Sequence, residues 1–198
     1  WLWATSNQGL ARYDGREWTL LGHEIGLSDV DLIGISMMDD AQGRPVLWLG
    51  SVRSGIQRVA VGDPRKPRLV AGPALPAPPD PFAYGAQRDH QGPVYICTNN
   101  GVQQLTPRAE SAWSSRVFAR RDGMVHEECN RLTQFVDRHG RYWTGTLAGV
   151  ILGTAFLGIS VLAHRLQPTR SEEQTILSTL GRAVFGGDAD RVVIANTK

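Results

Sequence analysis

The sequence has few cysteines and a net charge of only +2, and each of these features excludes a class of protein. Its 198 residues include only two cysteines, Cys97 and Cys129, which are too few for a disulfide-built scaffold and cannot supply a zinc site alone. Their redox state stays open. Lysine and arginine number 21 against 19 aspartate and glutamate residues, and the basic residues are scattered along the chain. A nucleic-acid groove requires a concentrated basic face, so we expect no nucleic-acid partner.

Familiar catalytic and targeting signals are also missing. The sequence has no Gly-x-Ser-x-Gly nucleophile motif, no phosphate-binding Gly-x-x-x-x-Gly-Lys motif and no dinucleotide-binding glycine motif. We therefore expect no cofactor. The chain begins at Trp1 without a methionine, a basic segment or an apolar signal sequence, which we interpret as a segment of a longer protein.

One long uncharged run, residues 148–163, could be mistaken for a membrane span. It contains sixteen residues, three of them glycines, whereas a membrane-spanning helix needs about 20 apolar residues. We predict that this run forms the third and fourth strands of a β-sheet. Part of a membrane segment is the alternative.

The chain contains a repeated pattern with a period of 45 to 50 residues. Each copy has an aromatic residue, one variable residue, a small residue, Ser or Thr, a short polar gap, and Gly followed by an aliphatic residue in most copies. The aromatic positions are 45, 47 and 48 residues apart, and they are Trp3, Trp48, Tyr95 and Trp143. A fifth, weaker copy covers residues 192–197.

A turn signal precedes three of the four aromatic residues. Asp-x-x-Gly occurs at residues 40–43, 89–92 and 137–140, where the Asp side chain can accept backbone hydrogen bonds and Gly tolerates positive φ. Short apolar or alternating runs flank the turns, which predicts β-hairpins. The strand after the repeated Gly is the third strand of each unit, and one further strand follows it. Together with the two strands of the hairpin, each unit therefore has four antiparallel strands, as in a propeller blade. The second-strand aromatic residues, and Trp1, are predicted to pack between blades.

The repeat resembles the two-component regulator propeller repeat. The matching residues are 47–51 (Leu-Trp-Leu-Gly-Ser), 142–146 (Tyr-Trp-Thr-Gly-Thr) and 9–15 (Gly-Leu-Ala-Arg-Tyr-Asp-Gly). The resemblance implies an all-β fold of β-propeller blades, with about four repeats that form an arc of a larger propeller.

The resemblance divides the chain into two parts. Residues 1–150 match it well, and residues 151–198 are predicted to form a divergent blade with a short helix near 171–181. A proline-rich stretch, residues 71–81, departs from the family pattern and is predicted to be an extended connector.

Propeller geometry predicts where a ligand would bind. The loops that lead into the first strand of each blade share one edge with the loops between the second and third strands. Polar side chains of these loops are therefore the candidate ligand-binding residues. They are Asn7, Asp29, Arg53, Asn99, Asn100, His126, Glu127, Asn130 and Arg131.

The segment His126-Glu127-Glu128-Cys129 is the one dense group of residue types that bind metals. Adjacent loop residues rarely converge on one ion, and no second ligand group has matching spacing, so we predict no metal site. A histidine beside a carboxylate is also the minimum for acid–base chemistry. A metal-dependent lyase or hydrolase is therefore an alternative function.

The resemblance implies a non-catalytic sensor. We expect a ligand-sensing or binding segment of a periplasmic or extracytoplasmic signal-transduction protein, anchored in a bacterial membrane through segments outside this chain. The ligand would be a small molecule, an oligosaccharide or a peptide, and the full-length sensor would form a homodimer. A structural dimerisation scaffold is a further alternative, and a kinase or cyclase output domain would lie outside this chain.

Overall fold

The chain folds into antiparallel β-sheets that follow one another in sequence. The structure, a computed structural model, describes residues 1–71, 74–108, 112–131 and 133–152, and in these residues the strands form four sheets, I to IV, each hydrogen-bonded in chain order. Sheet I contains β1 (Leu2–Ser6), β2 (Gly9–Tyr13) and β3 (Trp18–Leu21). Sheet II contains β4 (Leu32–Asp39), β5 (Pro45–Ser51), β6 (Ile56–Ala60) and β7 (Arg68–Leu69). Sheet III contains β8 (Ala83–Arg88), β9 (Val94–Thr98), β10 (Gly101–Pro107) and β11 (Trp113–Phe118), and sheet IV contains β12 (Phe135–Val136), β13 (Tyr142–Thr146) and β14 (Gly149–Leu152).

Helical structure is limited to short turns in the part of the chain that the structure describes. Two 3-10 helices, His23–Ile25 and Arg120–Asp122, lie in loops that lead into the next sheet. Because the rest of the regular structure is antiparallel strands, the predicted all-β fold class is confirmed, and the four-stranded sheets II and III are compatible with propeller blades. The helices found among these residues are too short and too polar to cross a bilayer.

The repeated Ser or Thr closes the loop after the strand that carries the repeated aromatic residue, which is β1 in sheet I and the second strand in the other sheets. Its hydroxyl donates a hydrogen bond to the carbonyl oxygen of the loop glycine in sheets I, II and III. These pairs are Ser6 to Gly9 at 3.0 Å, Ser51 to Gly55 at 2.8 Å and Thr98 to Gly101 at 2.7 Å. The three glycines have φ values of 136°, 65° and 98°, which are strained for residues with a Cβ atom. The motif therefore repeats because the loop geometry repeats.

The Asp-x-x-Gly turns join first and second strands, as predicted. Asp40, Asp89 and Asp137 each accept a hydrogen bond from the backbone amide two residues later, at 2.8 to 2.9 Å. Asp137 also accepts hydrogen bonds from the Arg141 side chain at 2.7 Å and the Trp143 indole at 3.0 Å. Burial acts to raise the pKa of Asp137, but these hydrogen bonds outweigh burial and hold the pKa well below its usual value. This turn thus binds the aromatic residue of its own second strand.

Successive sheets bury hydrophobic side chains against one another. Three buried clusters lie between sheets I and II, II and III, and III and IV. Trp48, Tyr95 and Trp143 are 3%, 2% and 8% exposed, which confirms that these second-strand aromatic residues are buried. Trp1 differs, because it is 49% exposed and stacks with the guanidinium of Arg12 at 5.3 Å. Arg65, in the loop between β6 and β7, also lies 6.0 Å from the centre of the Trp1 ring, so Trp1 contacts both sheets at their surface but is not buried between them.

The fourth strand of sheet II is short, and only part of the uncharged run is a described strand. β7 has only two residues, Arg68–Leu69, because the chain then enters the proline-rich connector, whose prolines lack a backbone donor. Of the uncharged run 148–163, Gly149–Leu152 forms β14. The remainder of that run, most of the divergent blade predicted at 151–198 and the helix predicted near 171–181 lie outside the described residues.

The first strands of sheets II and III approach so closely that a side chain does not fit. A Cβ atom at Gly34 in β4 would collide with the carbonyl oxygen of Tyr84 in β8. We expect Gly34→Ala to lower the free energy of unfolding by about 2 kcal/mol, because a backbone cannot move aside as a side chain can. Gly62→Ala is the matched control, since nothing lies within 4 Å of a Cβ atom at Gly62. Urea unfolding of both variants measures the difference, and equal midpoints would contradict the close packing.

Candidate functional site

Two kinds of loop meet at one edge of the sheets, which we call the loop edge. It consists of the loops that follow the strands with the repeated aromatic residue, β1, β5, β9 and β13 (residues 6–9, 51–55, 98–101 and 146–149), and the loops that lead into sheets II and IV (residues 22–31 and 119–131). Backbone hydrogen bonds join the two kinds of loop. The amides of Val52, Gly101 and Leu147 donate to the carbonyl oxygens of Asp31, Glu127 and Glu128 at 3.1, 2.8 and 3.2 Å. The sequence-predicted residues therefore lie in loops that contact one another.

Asp29 and Arg53 are two predicted residues that bond each other directly. The carboxylate of Asp29 accepts hydrogen bonds from the Arg53 backbone amide at 2.7 Å and from its guanidinium at 2.8 Å. Asp29 is only 3% exposed, whereas 65% of the Arg53 side chain is exposed. The buried carboxylate thus orients Arg53, and the guanidinium is the group of this pair that a ligand can reach.

A glutamine that the sequence analysis missed holds the loop that carries Asp29. The Oε1 atom of Gln57 accepts hydrogen bonds from the Ser28 amide at 2.7 Å and the Asp29 amide at 3.2 Å. Its Nε2 atom donates to the Asp29 carbonyl at 2.7 Å. Gln103 occupies the equivalent position in sheet III, two residues after the loop glycine, and donates to the carbonyls of Pro76 and Ala77 at 3.1 and 3.0 Å. Each glutamine fixes the segment that leads into its own sheet.

Asn99 belongs to a polar cluster between sheets III and IV. The Tyr84 hydroxyl donates a hydrogen bond to Asn99 Oδ1 at 2.7 Å and lies 3.4 Å from Glu128 Oε1. Burial, followed by the neighbouring charge of Glu128, raises the pKa of Tyr84. The phenol is therefore a neutral donor at physiological pH. Tyr84 was missed because it lies on a first strand and belongs to no motif.

The predicted residues of the loop 126–131 bind separate partners rather than one another. The Nδ1 atom of His126 accepts a hydrogen bond from the Glu128 amide at 3.0 Å, and the Glu127 carboxylate accepts one from the Arg120 amide at 3.3 Å. Asn130 Nδ2 donates to the Thr146 carbonyl at 2.8 Å. Arg131 Nε donates to the Ile33 carbonyl on sheet II at 3.2 Å. These four side chains therefore do not converge on one ligand atom.

Asn7 and Asn100 lie at the tips of turns. Both are exposed; Asn7 lies in the loop between β1 and β2, and Asn100 lies in the corresponding loop between β9 and β10. The Asn100 amide donates to the hydroxyl of Thr98 at 3.1 Å, which fixes the turn and leaves the Asn100 side chain pointing out of the buried core. These two residues contribute polar groups at the surface of the loop edge.

A disulfide joins Cys97 in β9 to Cys129 in the loop that leads into sheet IV, with the Cα atoms 5.8 Å apart. The sulfur of Cys129 is therefore held in the disulfide and supplies no thiolate to bind a metal or attack a substrate. Among the described residues, no group of three or more His, Cys, Asp or Glu side chains is placed to hold a metal ion. The sequence pattern at 126–129 thus forms a structural link between sheets.

The proline-rich connector covers a cleft between sheets II and III. The cleft has a volume of about 370 Å³. Its described lining combines apolar residues with a few polar ones from β6, β10 and the loops. The lining residues are Ser28, Ser54, Ile56, Gln57, Arg58, Leu69, Val70, Ala74, Leu75, Pro76, Pro78, Ile96 and Gln103. The proline-rich sequence predicts an extended connector but not the space beneath it.

Arg58 supplies the charge of this cleft. It pairs with Trp48 across β5 and β6, and its guanidinium lies 5.6 Å from the centre of the Trp48 ring. Burial lowers the pKa of Arg58, although an arginine stays protonated at any physiological pH. The described lining contains no carboxylate.

Comparison with known proteins finds solved structures whose fold resembles that of this chain. No protein-family model and no curated protein matches the sequence. The chain is similar to the extracellular domain of BT3049 from B. thetaiotaomicron, a protein assigned to a hybrid two-component system. The TM-score is 0.58 and the sequence identity is 20%, and the alignment covers 76% of this chain and 20% of the BT3049 domain. Two structures of the extracellular domain of BT4673 from the same organism, assigned to a one-component or a hybrid two-component system, give a TM-score of 0.41 and 14% identity over 76% of this chain and 25% of theirs.

The similarity to BT3049 concerns the fold. The chain spans about one fifth of the length of the BT3049 domain, because the alignment covers 20% of that chain. The shared part extends over 76% of this chain. The chain and part of the BT3049 extracellular domain therefore have the same all-β architecture.

Proposed function

We propose that this chain is a non-catalytic, ligand-sensing segment of an extracytoplasmic signal-transduction protein. The observation that carries the proposal is the fold shared with the extracellular domain of BT3049, which is assigned to a hybrid two-component system. In a protein of this kind, an outer domain binds a ligand and a separate output domain responds. The four consecutive sheets would be blades of a larger propeller, which agrees with the chain spanning 20% of the BT3049 domain.

The disulfide supports an extracytoplasmic location. Disulfides persist in oxidising compartments such as the periplasm and are rare in the reducing cytosol. Cys97 and Cys129 are 0% and 1% exposed and connect two sheets of the fold. A buried bond in this position is typical of a structural disulfide, formed once during folding, rather than of a redox-active pair.

The loop edge is the proposed site of ligand capture. It presents the exposed guanidinium of Arg53, held in place by Asp29, and the hydrogen-bonded cluster of Tyr84, Asn99 and Glu128. These groups can donate and accept hydrogen bonds and can pair with a charged group. The loop edge therefore suits a polar ligand such as a sugar, a peptide or a small metabolite.

A thermal-shift screen tests the proposal. The full chain is melted in the presence of neutral and acidic oligosaccharides, short peptides and amino acids. A ligand that binds only the folded state raises the stability by about 2.7 kcal/mol when its concentration is 100 times its dissociation constant. We expect at least one compound of the panel to raise the melting temperature. A panel in which every compound leaves it unchanged would count against a sensing function.

Arg53→Ala and Arg44→Ala form a matched pair for locating the site. Their side chains are similarly exposed, at 65% and 67%, and each pairs with an aspartate, but Arg44 lies in the Asp40 turn at the other end of its strands. We expect Arg53→Ala to reduce the ligand-induced shift and Arg44→Ala to leave it unchanged. Equal ligand-induced shifts in the two variants would place the binding site away from the loop edge.

The signalling step would be a change in how two full-length chains pair. A ligand shifts an equilibrium between two arrangements only if it binds one of them more tightly. Sedimentation velocity of the full-length extracellular region, with and without the compound found in the screen, measures this change. A dimer that forms without any response to ligand would instead support a structural scaffold.

A further inference from the structure

Glu128 is a half-buried carboxylate at the loop edge. Its side chain has one hydrogen-bond contact in the described part of the chain, with the Tyr84 hydroxyl at 3.4 Å. That hydroxyl has a single proton, which goes to the nearer acceptor, Asn99 Oδ1 at 2.7 Å. None of the ion pairs among the described residues includes Glu128, and the next basic residue, Arg131, donates to the Ile33 carbonyl instead. The carboxylate can therefore accept hydrogen bonds from a further donor, and a positively charged donor suits it best.

The equivalent carboxylate in sheet II has a cation beside it. Sheets II and IV share a backbone hydrogen bond that joins the leading loop to the loop after the aromatic strand. These pairs are the Val52 amide to the Asp31 carbonyl at 3.1 Å and the Leu147 amide to the Glu128 carbonyl at 3.2 Å. The residue that follows the donor in sheet II is Arg53, whose guanidinium lies 3.9 Å from the Asp31 carboxylate. In sheet IV the residue at this place is Ala148, which has no charge. Sheet IV therefore keeps the carboxylate and lacks the arginine.

Two aromatic rings lie next to this carboxylate. The ring centres of Phe82 and Tyr84 are 4.9 Å apart, with the planes tilted by 54°, and both side chains are half-buried. Aromatic faces attract cations, so the rings and the carboxylate favour the same kind of group. Burial, then Glu128 and then Asp80 raise the pKa of Tyr84, which places Asp80 near the phenol as a second negative charge. The surroundings of the Tyr84 ring are therefore both aromatic and negatively charged.

We propose that the part of the loop edge formed by Phe82, Tyr84, Asn99 and Glu128 binds a small organic ammonium ion. The Glu128 carboxylate accepts hydrogen bonds from the ammonium group, and the rings of Phe82 and Tyr84 contact the ammonium group and the apolar body of the ligand. The charge of the ligand thus takes the place that Arg53 has beside the carboxylate in sheet II. This inference rests on the proposed function, because it names the chemistry of a ligand for the loop edge.

Isothermal titration calorimetry of the full chain with benzylamine, benzyl alcohol and benzoate at neutral pH tests this proposal. The three probes share a phenyl ring and are positive, neutral and negative, so the comparison isolates the charge. We expect saturable binding of benzylamine, an affinity at least about tenfold lower for benzyl alcohol, and no saturable binding of benzoate. Absence of saturable benzylamine binding at millimolar concentration, or an equal affinity for either of the other probes, overturns the proposal. If a compound of the thermal-shift screen still stabilises the chain in that case, the sensing function stands and only the ammonium site fails.

Two variants locate the site by opposite changes. Glu128→Gln keeps the shape of the side chain without its charge and should weaken benzylamine binding about tenfold. Ala148→Arg places an arginine where sheet II has one, so its guanidinium should pair with Glu128 and weaken benzylamine binding at least about tenfold. Glu17→Gln is the matched control, because Glu17 is exposed in the turn between β2 and β3 of sheet I, and it should bind benzylamine as the unaltered chain does. Unchanged benzylamine affinity in either Glu128→Gln or Ala148→Arg overturns the proposal.

Discussion

Replacing both cysteines with alanine should lower the free energy of unfolding by about 3 to 4 kcal/mol. The disulfide between Cys97 and Cys129 joins residues 32 positions apart, and a cross-link of this span reduces the entropy of the unfolded chain by that order of free energy. It also connects β9 of sheet III to the loop that leads into sheet IV. Its removal therefore weakens the contact between two sheets as well as one loop.

Urea unfolding of the double variant and of the unaltered chain, each with and without a phosphine reductant, measures this effect. The two sulfur-bearing side chains are at most 1% exposed, so the native chain should keep its disulfide in the reductant. Once urea opens the fold, the reductant should lower the midpoint of the unaltered chain toward that of the variant. The variant is its own control, because its midpoint should not depend on reductant. Equal midpoints for the oxidised chain and the variant would contradict the prediction.

Hydrogen exchange shows where the lost stability acts. The Cys129 amide donates to the Thr98 carbonyl at 3.1 Å and the Gly101 amide to the Glu127 carbonyl at 2.8 Å. Both hydrogen bonds join the disulfide loop to sheet III, so their amides should exchange faster in the double variant. The Asp40 amide, bonded within a distant turn at 2.9 Å, should exchange at an unchanged rate.

The strand pattern was predictable because its signals are local. The Asp-x-x-Gly turns and the Ser or Thr to Gly loops each involve residues within four positions of one another. Hydrogen bonds over such distances depend little on the rest of the fold. The order of strands in each sheet follows from these turns, and it is the order that the structure shows.

The contacts between sheets were not predictable from the same signals. The pairing of Cys97 with Cys129 depends on how sheets III and IV face each other, and nothing within either segment encodes it. The cluster around Tyr84 likewise combines a first strand, a loop and the next sheet's leading loop. The cleft under the connector arises because residues 74–78 lie across two sheets. Each of these features requires the sheets to be packed first.

One signal was present in the sequence and was missed. Strands alternate sides, so Gln57 shares a face with Val59, and Gln103 with Leu105. Val59 and Leu105 are fully buried. A glutamine in such a position is expected to be hydrogen-bonded, since buried polar groups almost always are. Its partners in both sheets are backbone groups of the segment that leads into the sheet.

Gln57→Leu should consequently lower the free energy of unfolding by about 2 kcal/mol. The leucine fills a similar volume, but the amides of Ser28 and Asp29 and the carbonyl of Asp29 lose their shared partner. The two Asp29 groups are buried, and each buried group left without a hydrogen bond costs about 1 kcal/mol or more, whereas Ser28 is exposed and its amide can bond water instead. Since Asp29 orients Arg53, we also expect the amides of Ser28 and Arg53 to exchange faster. Urea unfolding and hydrogen exchange measure the two effects.

Gln104→Leu is the control variant for Gln57→Leu. Gln104 is also a third-strand glutamine, but it is half-buried and bonds one side chain, the Tyr95 hydroxyl at 2.8 Å. Its replacement leaves no backbone group without a partner, and the buried Tyr95 hydroxyl keeps its hydrogen bond with Asp89, so the cost should stay below about 1 kcal/mol. Similar losses for the two variants would mean that any glutamine on a third strand stabilises the sheet. A loss confined to Gln57 means that the loop edge depends on one buried amide, which acts on the exposed guanidinium of Arg53 through the carboxylate of Asp29.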